Sequence, residues 1–176
     1  MIYFVRHGQT EHNRQGYIQG HLDIPLNDEG IAQAHTTADM LKNTHIDMIY
    51  VSPLQRAMKT AEIINEYHHV KVVVDDRLKE LNAGSLQGRK FKELTDEEKI
   101  DYFTDPTVFG AESYDDLYDR VVSVYKEIEA IGKDILIVSH GGVYRSIVRY
   151  IKNIADVHAD LPPLENCAVV NLTELE

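Results

Sequence analysis

The sequence predicts an α/β fold, a three-layer αβα sandwich around a mostly parallel central sheet, from three observations. Short apolar runs alternate with amphipathic helical segments. Several of these runs are continuously apolar, as expected of strands covered on both faces. No repeat, low-complexity tract or Pro/Gly-rich linker divides the chain, so residues 1–176 are expected to form one domain. A chain of 176 residues can bury roughly 70% of the surface its unfolded form exposes. With 43% hydrophobic and 27% charged residues it is too apolar to stay disordered.

The elements follow in order. Ile2 to Val5 is the first strand and ends at Arg6-His7-Gly8. After Asn27, Ile31, Ala34, Ala38 and Leu41 recur at spacings of three and four, which makes one apolar stripe on a helix. Met48 to Val51 is the second strand. Beyond it Ser52 reads as an N-cap, Pro53 suits the first helical position and Gln55 completes a capping box, so a helix starts there with Arg56 in its first turn. Val72 to Val74 is the third strand. Ser113 and Asp116 form a capping pattern for a helix with the stripe Leu117, Val121, Val124, Ile128 and Ile131, stopped by Gly132. Ile135 to Val138 is the fourth strand and ends at Ser139-His140-Gly141, with a further helix expected from Gly141-Gly142. Ala168 to Leu172 is the last.

Bulk properties exclude several functions. A formal charge of −11, with no dense Lys/Arg cluster, argues against a nucleic-acid partner. No run of about 18 apolar residues occurs, and Arg6 and His7 interrupt the first apolar stretch, so neither a membrane partner nor a secretory leader is expected. The lone cysteine, Cys167, cannot form an intrachain disulfide and reads as a core residue; a reducing cytoplasm is the expected location. His12, His21, His35, His45, His68, His69 and His158 show no metal-ligand spacing, and neither a metal nor another cofactor is expected.

In a parallel sheet, ligands bind beyond the carboxyl ends of the strands. Two strands deliver His-Gly to that edge, and Arg56 arrives there on a third segment. Two histidines, two arginines and free helix N-termini suit a phosphoryl group whose charge is neutralised without metal. A neutral imidazole can attack phosphorus, and a carboxylic acid must then protonate the leaving alkoxide. The charge pattern does not choose between the two histidines, and Asp75, Asp76 and Glu80 are all candidates for the acid. A lone His-Gly after a strand is weak support; convergence of several groups on one edge carries the argument.

At these residues the chain resembles the histidine phosphatase superfamily, the phosphoglycerate-mutase-like proteins. The resemblance runs through "RHGQTEHN" (6–13), "GHLDIPLNDEG" (20–30), "SPLQRAMKTA" (52–61), "LKELNAGSLQG" (78–88) and "VSHGGVYRSI" (138–147). It implies that His7 is the phosphorylated nucleophile, oriented by a backbone carbonyl. Arg6, Arg56 and His140 would bind the phosphoryl oxygens, Asn13 would add a polar contact, and Gln19 and Gly20 would line the pocket. The Gly141 N–H would face the phosphate, and Glu80 would be the acid and then the base. The implied partner is a small phosphorylated metabolite, for a monomer or homodimer. Residues 89–118 would form a substrate-selecting lid, with Arg89, Lys90 and Lys92 available to a second anion and Tyr102, Phe103 and Phe109 shaping an apolar wall. "SHGGVYR" is closer to the phosphatase branches, whereas Leu86-Gln87-Gly88 is closer to the mutases. The favoured reading is a metal-independent phosphatase; a bisphosphoglycerate-dependent mutase and a non-catalytic phosphate-binding protein are the alternatives.

Overall fold

The computed structural model describes residues 1–156 and 161–175. Strands β1 (Ile2–Arg6), β2 (Met48–Val51), β3 (Lys71–Val74), β4 (Ile135–Ser139) and β5 (Val169–Asn171) form one sheet in the order β3-β2-β4-β1-β5. The first four are parallel, and β5 runs antiparallel to β1. Among the described residues the helices are α1 (Glu11–Gln15), α2 (Asp28–Leu41), α3 (Gln55–His68), α4 (Asp96–Thr104), α5 (Tyr114–Ile131) and α6 (Gly141–Ile151). None is long and apolar enough to cross a membrane.

Alternation along the central strands explains the three layers. Val5, Ile49, Val51, Leu136 and Val138 pack on one face against Ala34, Ala38 and Leu41 of α2 and Ala57, Ala61 and Ile64 of α3. Phe4, Ile135 and Ile137 pack on the other against Leu117, Val121, Val124 and Ile128 of α5 and Val143 and Ile147 of α6. Each of these Val, Leu, Ile and Phe side chains, fully removed from water, stabilises the fold by about 1.5–3 kcal/mol, and each alanine by less. β3 departs from the expectation of a strand covered on both faces. It is the sheet edge, and Val72 and Val74 are exposed.

Register then assembles the site. Val51, Val138 and Val5 lie side by side on β2, β4 and β1, so the chain leaves all three strands at one level. The His7 N–H donates to the Ser139 carbonyl at 2.9 Å and the Ser52 N–H to the Val138 carbonyl at 3.2 Å. Beyond β1 the backbone lies directly on the first turn of α2. A Cβ at Gly30 would stand 2.0 Å from the Gln9 carbonyl oxygen, and one at Gly8 2.5 Å from that of Gly30. No side chain fits at this crossing.

Two helix starts differ from the sequence expectation. α3 begins at Gln55 behind Leu54, not behind Ser52, and its first N–H is taken by the Asp23 carboxylate at 2.7 Å. A cap borrowed from 32 residues away frees the Ser52 hydroxyl for another partner. At α5, Ser113 does accept from the Asp116 N–H, but its hydroxyl donates back to the Asp116 carboxylate, so the second half of the capping box is not made.

Candidate active site

Beyond the carboxyl ends of β1, β4 and β2 lies a cavity of about 510 Å³. Arg6, His7, Asn13, Gln19, Gly20, Arg56 and Glu80 line it, together with Gly142, Arg145 and Arg149 of α6 and an aromatic wall of Phe91, Tyr102, Phe103 and Tyr114.

His7 is 3% exposed. Its Nδ1 is 2.7 Å from the Gly8 carbonyl oxygen, which can only accept, so Nδ1 carries the proton and Nε2 keeps its lone pair. Its ring centroid lies 5.1 Å from that of His140, which is fully buried. Burial first, then the nearby Arg56 guanidinium, holds both imidazoles well below the ordinary histidine range. Both are therefore neutral at neutral pH.

His140 Nε2 is 2.7 Å from Ser52 Oγ, and its Nδ1 has no hydrogen-bond partner. Ser52 Oγ accepts from the Leu54 N–H at 3.4 Å, which leaves its own O–H to donate to His140. In that arrangement His140 Nδ1 carries the ring proton and is a donor without a partner among the described residues. His140 is also the N-cap of α6 and makes no side-chain cap bond.

Arg56, 1% exposed, donates to the Leu22 and Gly20 carbonyls at 2.7 and 2.9 Å, while Arg6 donates to the Leu164 carbonyl. In both arginines the buried Nε has no partner among the described residues. Burial pulls Arg56 down to about 10, so it remains a cation at neutral pH. Burial likewise lowers Arg6. Two desolvated guanidinium groups with unmet donors make a strong anion cradle.

Among the three candidate acids, only Glu80 reaches the cavity. Its carboxylate accepts from the Leu81 N–H at 2.8 Å and from the Gly142 N–H at 3.2 Å. Asp75 is instead ion-paired with Arg77, and Asp76 lies exposed beside Lys79. The backbone behind Glu80 is clamped from α5: Arg120 donates to the carbonyls of Arg77, Lys79 and Glu80 and pairs with Glu112.

Other expected residues fall differently. Asn13 and Gln19 line the cavity but are tied to Thr10, Asn13 through the capping box of α1. Gly142, not Gly141, lines the cavity wall. Tyr102 and Phe103 belong to the aromatic wall, whereas Phe109 does not, and its backbone carbonyl lies over Gly84. The basic triplet is also elsewhere: Arg89 pairs with Glu98, Lys90 sits over the Tyr17 ring, and Lys92 is exposed. Gln87 accepts from the His21 N–H at 2.7 Å and braces that turn without reaching the cavity. Ser52 and Arg145 lie within the quoted motifs but were given no role at the site, and Arg120 has no signal in the sequence beyond its residue type.

Cys167 is buried, and burial pushes its thiol up to about 12, as suits an inert core residue. His45, Asp47 and Asp134 bring ligand atoms within 4.8 Å of one another at the opposite sheet edge, where the chain terminus already engages Asp134. His158 lies outside the described residues.

Comparison with known proteins agrees with this geometry. The model of the histidine phosphatase superfamily (branch 1) matches residues 2–175. The "uncharacterized phosphatase PhoE" of Bacillus subtilis is 34% identical over 97% of this chain and 83% of its own length. "Phosphoglycerate mutase-like protein 4" of Arabidopsis thaliana is 39% identical over 83% of this chain and 68% of its own. Mycobacterial glucosyl-3-phosphoglycerate phosphatase complexed with VO3 superposes with a TM-score of 0.85 at 28% identity, over 96% of this chain and 90% of that one. Phosphoserine phosphatase of Entamoeba histolytica in complex with 3-phosphoglyceric acid does so with a TM-score of 0.80 at 29% identity, over 96% and 87%.

Proposed function

The chain belongs to the histidine phosphatase superfamily, and we propose that it hydrolyses small phosphomonoesters through a phosphohistidine on His7. The observation that carries this reading is the bond from His7 Nδ1 to the Gly8 carbonyl, because it leaves Nε2 as a lone-pair nucleophile beside two guanidinium groups. In the first step Nε2 attacks phosphorus, the P–O bond to the alcohol breaks, and Glu80 gives its proton to the departing oxygen. Arg6, Arg56 and His140 Nδ1–H hold the equatorial oxygens, where charge accumulates. In the second step water attacks phosphorus as the P–N bond breaks, and its proton passes to Glu80, which restores the acid and releases phosphate. The Gly8 carbonyl stabilises the cationic ring meanwhile.

Residues 1–176 act in this reading as one domain, with 89–118 as the segment that selects the alcohol, in a cytoplasmic monomer or homodimer. The site's charges are met by arginine, so phosphate release should persist in EDTA. The substrates in the names of the similar phosphatases, a glucosyl-phosphoglycerate and phosphoserine, support a small phosphorylated metabolite. The mutase-like Arabidopsis relative favours one further reading, return of the phosphoryl group to a second hydroxyl. The motif that suggested it, however, engages Gln87 in bracing a turn.

The test assays 3-phosphoglycerate and a panel of phosphomonoesters in EDTA, scoring inorganic phosphate and positional isomers together, with His7→Ala as control. The expected result is phosphate without isomer, reduced by at least about a thousand-fold in the variant, as for loss of a covalent nucleophile. Isomer without phosphate would establish the mutase, and full activity in His7→Ala would eliminate both.

A further inference from the structure

We infer that Arg145 selects the substrate by pairing with a carboxylate that the phosphomonoester carries a few bonds from its phosphate. The inference deepens the hydrolase reading and rests on it for the position of the phosphate.

On α6, Gly142, Arg145, Ser146 and Arg149 all line the cavity, a spacing that places them on one face of the helix. Gly142 marks the reacting end, because its N–H meets the Glu80 carboxylate. At 1.5 Å of rise per residue, Arg145 stands about 4.5 Å further along the axis and Arg149 about 10 Å. Arg149 is already engaged: its guanidinium lies 4.3 Å from the Tyr118 ring centroid and donates to the Ala155 carbonyl. Arg145 is exposed and, among the described residues, has neither a hydrogen-bond nor an ion-pair partner. Its charge is nonetheless felt at Arg6, Tyr102 and Tyr114, which places it over the same space.

Charge and shape then choose the ligand. Arg6 and Arg56 match the two charges of a phosphomonoester dianion. One unpaired guanidinium remains, which fits one further negative charge, and its planar fork suits the two oxygens of a carboxylate. A separation of about one helical turn fits an ester with two or three carbons between the groups. The aromatic residues opposite supply no competing cation. Because Arg145 is exposed, water screens the pair, so the expected selectivity is on the order of ten-fold rather than a thousand-fold.

The test compares kcat/KM for 3-phosphoglycerate and glycerol 3-phosphate, which have the same carbon count and differ in carboxylate against hydroxymethyl. The wild type should prefer the carboxylate by about ten-fold, mainly in KM, with the ratio falling near one in Arg145→Gln and partly restored in Arg145→Lys. A ratio unchanged in Arg145→Gln, or a wild type that treats the esters alike, overturns the inference. Should the wild type release phosphate from neither of these nor from any ester of the panel, the hydrolase reading fails separately. Calorimetric affinities for the same two compounds then apply the same ratio, and equal or undetectable binding of both overturns it.

Discussion

His140 shows how one hydroxyl sets the chemistry of a buried ring. Ser52 Oγ stands 2.7 Å from Nε2, and donation from it leaves the ring proton on Nδ1, where a phosphoryl oxygen can use it. Ser52→Ala frees the ring to adopt the other tautomer. The expected result is a fall in kcat of about ten-fold with KM little changed, and about 1–2 kcal/mol less stability, read by steady-state kinetics and urea unfolding. An unaltered kcat would show that His140 holds its proton without help. Arg6, His7, Arg56 and His140 were legible in the sequence because each directly follows a strand or opens a helix. Ser52 was misread as a cap, since the carboxylate that caps α3 comes from Asp23, and only folding brings it there.

Between elements, the proposed acid Glu80 depends on α5. Three carbonyls of the loop 77–80 converge on the Arg120 guanidinium, which Glu112 holds from its other side. Glu112 itself accepts from the Asn82 N–H at 3.3 Å, so one arginine ties the end of the aromatic segment to the segment that bears Glu80. We expect Arg120→Ala to lower kcat by about ten- to a hundred-fold through misplacement of Glu80, with KM for the phosphate ester changing less. Arg120→Lys should recover little, because a single ammonium cannot span three carbonyls and a carboxylate. Equal losses in kcat and in folding stability, without a kinetic bias, would mark the clamp as merely structural. Strand and helix positions were legible from periodicity, but the clamp was not. Residue 120 lies outside the apolar stripe that marked α5, and the carbonyls it holds are 40 or more residues away.

Over the whole molecule, a chain of net charge −11 encloses a cavity lined, among the described residues, by Arg6, Arg56, Arg145 and Arg149 against the one carboxylate Glu80. The two buried imidazoles sit within this positive field, their proton affinity lowered by burial and then by Arg56. Unfolding returns both to water, where the ordinary value is 6.5. The unfolded chain therefore binds more protons below that value, so these groups make stability fall as pH drops below it and leave stability flat above it. Each contributes up to about 1.4 kcal/mol per pH unit within the window. Urea unfolding of the wild type and His140→Asn between about pH 7.5 and about pH 5.5 should give the shallower dependence in the variant. Identical slopes would mean that His140 is not buried as a neutral group.

The sequence by itself determined the layers, the apolar faces of the central strands and the three segments, two ending in His-Gly and one bearing Arg56, that meet at one edge, because periodicity and local motifs are short-range properties of the chain. It left Glu80 level with Asp75 and Asp76 until the family resemblance was applied, and it left the triplet Arg89, Lys90 and Lys92 open between contact with a second anion and a solvated helical face. Tertiary structure decided those points. Pairing consumed Asp75 and Arg89, exposure removed Asp76 and Lys92, and α6 carries Arg145 on the cavity with neither a hydrogen-bond nor an ion-pair partner among the described residues. Whether a charged group is free to act depends on which partner reaches it first, and that is a property of packing across the whole chain.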